Sequence, residues 1–181
     1  MDADPVRCLL RAANFAAIKH KDQRRKDPDK TPYINHPIGV AYILMDEGDV
    51  TDSEVLQAAI LHDTVEDTDT TLDEIQDVFG EKVRSIVAEV TDDKSLPKAE
   101  RKRLQVEHAA SRSHQAKLVK LADKLYNLRD LCRTTPEGWD EQRVAEYFQW
   151  AARVVRGLRG TNRPLEERLE RLFKERQVPD C

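Results

Sequence analysis

The 181 residues carry 30 basic and 34 acidic side chains for a net charge of −4, with 35% charged and only 6% aromatic residues. That length suits one domain, which can bury roughly 70% of its unfolded surface and needs no disulfide or metal merely to fold. The charge balance argues against a whole-molecule attraction to nucleic acid or anionic membrane, and no apolar run reaches the ~20 residues of a membrane span.

Asp4-Pro5 reads as an N-cap followed by proline at the first helical position. The helix beyond it runs to about Lys21 and should turn Val6, Leu9, Leu10, Ala13, Ala16 and Ala17 inward. Residues 23–36 form a loop rich in Pro and Asp. Pro37 starts a second helix that ends near Gly48. Thr51 and Glu54 make a capping box for a third, reaching about Asp67. Thr71 and Glu74 repeat the device for a short helix stopped by Gly80. Further helices are expected over 81–90, 98–109 and 115–132. Thr135-Pro136 caps a long one to about 158, and the last covers about 163–176. No alternating strand pattern appears, so the fold class is all-α, a single compact domain over residues 1–181.

Cys8, Cys132 and Cys181 stand far apart, with no CxxC pair, as reduced thiols of a cytoplasmic protein would. The N-terminus opens acidic, which does not fit a signal peptide. Neither composition nor motif carries a signal for oligomeric state.

The stretch AAILHDTVEDTD sets its acids on an apolar face. At 100° per residue, Glu66 falls about 40° from His62, Asp63 about 100° and Asp67 about 140°, where Val55, Ala59 and Leu56 also point. Burying several carboxylates together costs several kcal/mol each, and a divalent cation removes that penalty. A histidine beside carboxylates suits a first-row metal, and the ligand types alone allow Mn, Fe, Ni, Co or Zn. A solvated acidic helix end is the bland alternative, which the helix dipole disfavours.

His36, at a fixed corner between Asn35 and Pro37, can supply another ligand. Asp123 lies on a helix striped with Leu118, Leu121, Leu125 and Leu128, opposite that stripe. Its partner is either a cation in the site or a neighbouring lysine, Lys120 or Lys124. His20, His108 and His114 lie in polar surroundings and read as surface residues.

His36, the His62-Asp63 doublet and Asp123 follow the H…HD…D pattern of HD-domain phosphohydrolases. The strings YINHP, HDTVEDTDTTLDEI and KLADKLYNL closely resemble the hydrolase domain of the Rel/SpoT alarmone enzymes, over nearly the whole chain. The length fits a stand-alone hydrolase without synthetase or regulatory domains. The resemblance implies one Mn2+ per chain, bound by His36, His62, Asp63 and Asp123. It implies that Glu66 and Asp67 act on the attacking water; holding a second ion is the alternative. It implies that Arg25, Lys26, Tyr33 and Asn127 contact the substrate, and Lys98 and Arg143 are further candidate phosphate contacts. The substrate would be a small nucleotide, guanosine 3′,5′-bis(diphosphate) (ppGpp), cleaved to GDP and pyrophosphate.

Removal of the 2′-phosphate of NADPH at the same site is the alternative activity. A silent nucleotide-binding scaffold is disfavoured because every expected ligand is present. RNA or DNA binding through the basic run KHKDQRRK is weaker still, since no aromatic interleaving or nucleic-acid module accompanies it.

Overall fold

A computed structural model describes residues 4–179. Cys181 therefore lies outside the described residues. Among these residues the chain is all helix and loop, with one isolated bridge between Arg24 and Pro32.

The order is α1 Pro5–Lys19, α2 Asn35–Tyr42 continued by a π-helical turn Ile43–Glu47, α3 Ser53–Leu61, α4 Thr64–Asp67 and α5 Leu72–Phe79. Then come α6 Glu81–Val90, α7 Lys98–His108, α8 His114–Arg133, α9 Glu141–Leu158 and α10 Arg163–Glu175. Side-chain caps fix most of the starts. The carboxylates or oxygens of Asp4, Asp52, Thr71, Ser113, Asp140 and Asn162 each accept a backbone N–H of the first turn.

The helix α8 is the hub. It packs against α2, α3, α6, α9 and α10, and buries Leu118, Leu121, Leu125 and Leu128 completely or nearly so. Helices α1 and α2 close over α3, whose residues from Val55 to Leu61 are all buried.

Four expectations are corrected. The helix after Asp52 does not run through to Asp67. It stops at Leu61, turns at His62 and Asp63, and resumes as the single turn α4. Thr64 Oγ1 donates to the Leu61 carbonyl at 2.7 Å, which ties off the broken end. Asp52 rather than Thr51 is the cap. On α1 the buried side is Ala12 and Ala16, while Val6 and Leu10 are 63% and 66% exposed and Ala17 is also exposed. Small alanines let α1 lie close on α3, so close approach rather than bulk decides its facing. The long helix α9 begins at Glu141 because Gly138 takes a positive φ of 74° and Asp140 then caps the new start.

Close approach also governs the contact of α2 with α8. A Cβ on Gly39 would stand 2.1 Å from Tyr126 Cε2, and the Tyr126 ring packs edge-on against His36 with centroids 4.8 Å apart. Gly39→Ala should therefore push Tyr126 off His36 and destabilise the fold by about 1–3 kcal/mol. Thermal unfolding checks this; an unchanged Tm would contradict it.

Candidate metal and hydrolytic site

Three separate regions meet at one point. His36 stands at the start of α2, His62 and Asp63 occupy the turn between α3 and α4, and Asp123 sits in the middle of α8. The Nε2 atom of His36 lies 3.2 Å from Asp123 Oδ1 and 3.5 Å from Asp63 Oδ2. The Nε2 atom of His62 lies 3.1 Å from Asp63 Oδ2 and 3.7 Å from Asp123 Oδ1. Donor atoms of His36, His62 and Asp123 all fall within 4.8 Å of one another, and Asp63 joins them through its contacts with both imidazoles.

The donor set fits a divalent cation. His62 Nδ1 is 2.7 Å from the Ala59 carbonyl, an acceptor only, so it carries the proton. That leaves a lone pair on Nε2, which is buried without a hydrogen-bond partner despite its short approach to Asp63. An imidazole so oriented is poised to ligate. Without a cation the group polarises itself. Burial disfavours a charged His62, but Asp63 and Asp123 outweigh it and raise its pKa well above the histidine norm. Burial likewise opposes ionised Asp63 and Asp123. The nearby imidazoles, and Lys124 beside Asp123, hold both carboxyls well below the usual range.

Of the two candidate partners of Asp123, the lysine is present as Lys124, and it leaves one carboxylate oxygen directed at the imidazoles. Asp123 Oδ2 accepts from Lys124 Nζ at 2.9 Å, while Oδ1 faces the imidazoles and accepts from Asn127 Nδ2 at 2.8 Å.

A cavity of about 200 Å³ opens over this cluster, lined among others by Arg25, Tyr33, Glu66, Lys120, Lys124 and Asn127. The Tyr33 hydroxyl donates to Asp63 Oδ2 at 2.5 Å. Arg25 Nη2 donates to Asn127 Oδ1 at 3.0 Å and to Asp130 Oδ2 at 2.8 Å. The loop carrying Arg25 and Tyr33 is set by its own bonds: Asp27 accepts from Thr31, Arg25 N donates to the Thr31 carbonyl, and Tyr33 N to that of Gln23.

Glu66 takes Asp92 N–H at 3.0 Å and has Arg101 at 3.9 Å. Its pKa is pushed up to about 7, first by burial and then by the Asp63 charge. Asp67 does not line this cavity; it accepts from Gln23 Nε2 at 3.0 Å and from Lys94 Nζ at 2.6 Å.

An adjoining cavity of about 550 Å³ shares Tyr147 with the first and is lined by Lys98, Lys102, Trp139 and Arg143. Partial burial and the like charges of Arg143, Lys26 and Arg101 hold Lys98 below the ordinary lysine pKa. Lys26 itself is exposed and lines neither cavity.

His20 corrects its expectation. It is 2% exposed, packs on the Tyr33 ring with centroids 4.9 Å apart, and its Nδ1 meets Gln23 Oε1 at 2.7 Å. The loop folding back over α1 buries it, which local polarity does not reveal. Sequence reasoning also missed Gln105, Tyr147 and Trp150 as cavity walls. Lys120 and Lys124 were legible as residues on the Asp123 helix, but not as cavity walls.

The HD-domain family matches residues 12–149, and the chain belongs to it. The chain is 68% identical to guanosine-3′,5′-bis(diphosphate) 3′-pyrophosphohydrolase MESH1 of Danio rerio, over 98% of this chain and 99% of that one. It is 72% identical to the Homo sapiens protein of the same name, over 93% and 94%. A solved structure described as a metazoan ortholog of SpoT that hydrolyses ppGpp superposes with a TM-score of 0.93 at 54% identity, covering 94% of this chain and 96% of that one. Within the HD family this is a protein of the metazoan SpoT type.

Proposed function

We propose that this chain hydrolyses guanosine 3′,5′-bis(diphosphate) to GDP and pyrophosphate, with one Mn2+ held by His36, His62, Asp63 and Asp123. The carrying observation is the meeting of those two imidazoles and two carboxylates in one cavity with Glu66. The names of the relatives supply the substrate. A hard, oxygen-tolerant ion such as Mn2+ suits a mixed imidazole and carboxylate set.

Bound there, the ion would lower the pKa of a water and offset phosphate charge. The chain's own groups do the rest. Glu66, half-buried beside Asp63, accepts a proton from the attacking water. Asp67 contributes a charge that helps to raise Glu66. The water oxygen bonds the phosphorus next to ribose O3′, the P–O3′ bond breaks, and O3′ takes up a proton. Arg25, Tyr33 and Asn127 meet the nucleotide in the inner cavity. Lys98 and Arg143, with Lys26 close by, meet its remaining phosphates from the adjoining one.

No helix among the described residues is long and apolar enough to cross a membrane. The free thiols Cys8 and Cys132 suit a reducing compartment, and we assign the cytoplasm.

The test is turnover by the purified Mn2+ form. Stoichiometric GDP and pyrophosphate from ppGpp, at a kcat/KM above that for phosphate release from NADPH, is expected. No pyrophosphate from ppGpp, beside phosphate from NADPH, would overturn the reading.

A further inference from the structure

One cation in the inner cavity has no ion-pair partner among the described residues. Lys120 is only 6% exposed and forms no ion pair among the described residues. Asp92 and Asp123 reach it only through space. The nearest comparable group, Lys124 one turn on, is already paired with Asp123 at 2.9 Å and rests over the Trp150 ring. Its like charge acts against Lys120. A buried ammonium in contact with no carboxylate is costly to keep charged. The chain keeps it in the wall that also carries His62, Asp63 and Glu66.

Helical geometry places it there. Lys120, Asp123, Lys124 and Asn127 follow the spacing i, i+3, i+4, i+7 and share an arc of about 100° on α8. All four line the same cavity. Two members of the stripe, Lys124 and Asn127, bond to Asp123. Lys120 is the member that makes no hydrogen bond or ion pair among the described residues, so its ammonium is left facing the cavity contents. That cavity, about 200 Å³, is smaller than the ~300 Å³ lower bound of sites that enclose a whole ligand. It accommodates one end of a nucleotide, the end next to the metal ligands.

We propose that Lys120 is a further catalytic residue, its Nζ donating to a non-bridging oxygen of the phosphoryl group that water attacks. The inference rests on the phosphate-ester reading above. In a site shielded from water an ammonium so placed stabilises the charge that builds on those oxygens as the P–O3′ bond breaks. Burial pushes the lysine pKa down to about 8, which still leaves it mostly protonated at neutral pH. An anionic substrate restores the missing counter-charge and reinforces that state.

The experiment compares wild type with Lys120→Met and Lys120→Gln in four measurements: Tm of the metal-free protein, Mn2+ affinity by calorimetry, kcat on ppGpp, and inhibition by inorganic pyrophosphate. Methionine should leave Tm equal or higher, since it replaces an unpaired buried charge by an apolar chain. Mn2+ affinity should be retained in both variants. In both, kcat should fall by about 10²–10³-fold, and pyrophosphate should inhibit less strongly. Glutamine keeps a donor without the charge, so a comparable loss there assigns the effect to charge. A methionine variant that melts lower or fails to fold would show that the protein itself holds the ammonium, and would overturn the proposal. Wild-type kcat in either variant would do the same. A wild-type chain that releases no pyrophosphate from ppGpp would instead sink the functional reading.

Discussion

His62→Ala should abolish divalent-cation binding and ppGpp turnover together. His62 is 4% exposed, and its ring is held by the Ala59 carbonyl on one side with the other nitrogen unpartnered and facing Asp63 and Asp123. No other imidazole can take its place. His36 already contributes from α2, and His20 is engaged with Gln23 and Tyr33. The space left by alanine is buried, and the remaining three groups are placed by separate elements, so the ion loses one of its four ligands with no replacement at hand. Since metal chemistry supplies several kcal/mol of transition-state stabilisation, a loss on the order of 10³-fold or more is expected. Calorimetry with Mn2+ checks the binding half. Thermal unfolding with and without the ion is a second readout, because a ligand that binds only the folded state raises Tm. The variant should show no such rise. Stoichiometric Mn2+ binding by His62→Ala would remove His62 from the ligand set.

Helices were legible in this chain because their periods and caps are local properties. Asp4-Pro5, Thr71 and the leucine stripe of α8 announce themselves without any knowledge of their neighbours. The clustering of His62 and Asp63 with Glu66 was legible for a thermodynamic reason: carboxylates on an apolar face need compensation. The helical wheel that exposed the cluster was nevertheless wrong beyond His62. The break at His62 and Asp63 depends on Thr64 Oγ1 capturing the Leu61 carbonyl, a choice between two hydrogen-bond patterns that propensity does not decide. Tertiary matters were less visible. Val6 and Leu10 look like core residues on bulk alone, yet α1 meets α3 through Ala12 and Ala16. His20 looks like a surface residue on polarity alone, yet a returning loop encloses it, and Lys120, a candidate partner of Asp123, is buried on α8 without pairing with it. For Asp123 the two candidate partners, lysine or site, were not alternatives. A carboxylate has two oxygens, and each faces one of them.

Glu66→Gln should keep the metal and lose the rate, separating proton transfer from coordination. Glutamine preserves the length of the side chain and a carbonyl that can accept the Asp92 N–H now bound at 3.0 Å. It cannot accept a proton from water at neutral pH. General-base catalysis is worth about 10²–10⁴-fold, and a fall of that size in kcat at unchanged Mn2+ affinity is expected. Normal turnover would remove Glu66 from the base role, and lost Mn2+ would make it a ligand instead. The same substitution has a signature in the metal-free protein that is independent of activity. Burial, with Asp63 nearby, raises the Glu66 pKa from 4.5 to about 7 in the folded chain. Between those values the folded state holds a proton that the unfolded chain has released, so folding stability drops as pH rises through that window. Below it, both states are protonated and the drop disappears. The side chain is 18% exposed, so solvent screens it only partly. The full shift corresponds to roughly 3 kcal/mol. Glutamine has no proton to release, so metal-free Glu66→Gln should match its parent near pH 4 and exceed it in stability at pH 8. Denaturant unfolding at the two pH values measures the difference. Equal stability of parent and variant at pH 8 would show that Glu66 ionises in the fold as freely as it does in water.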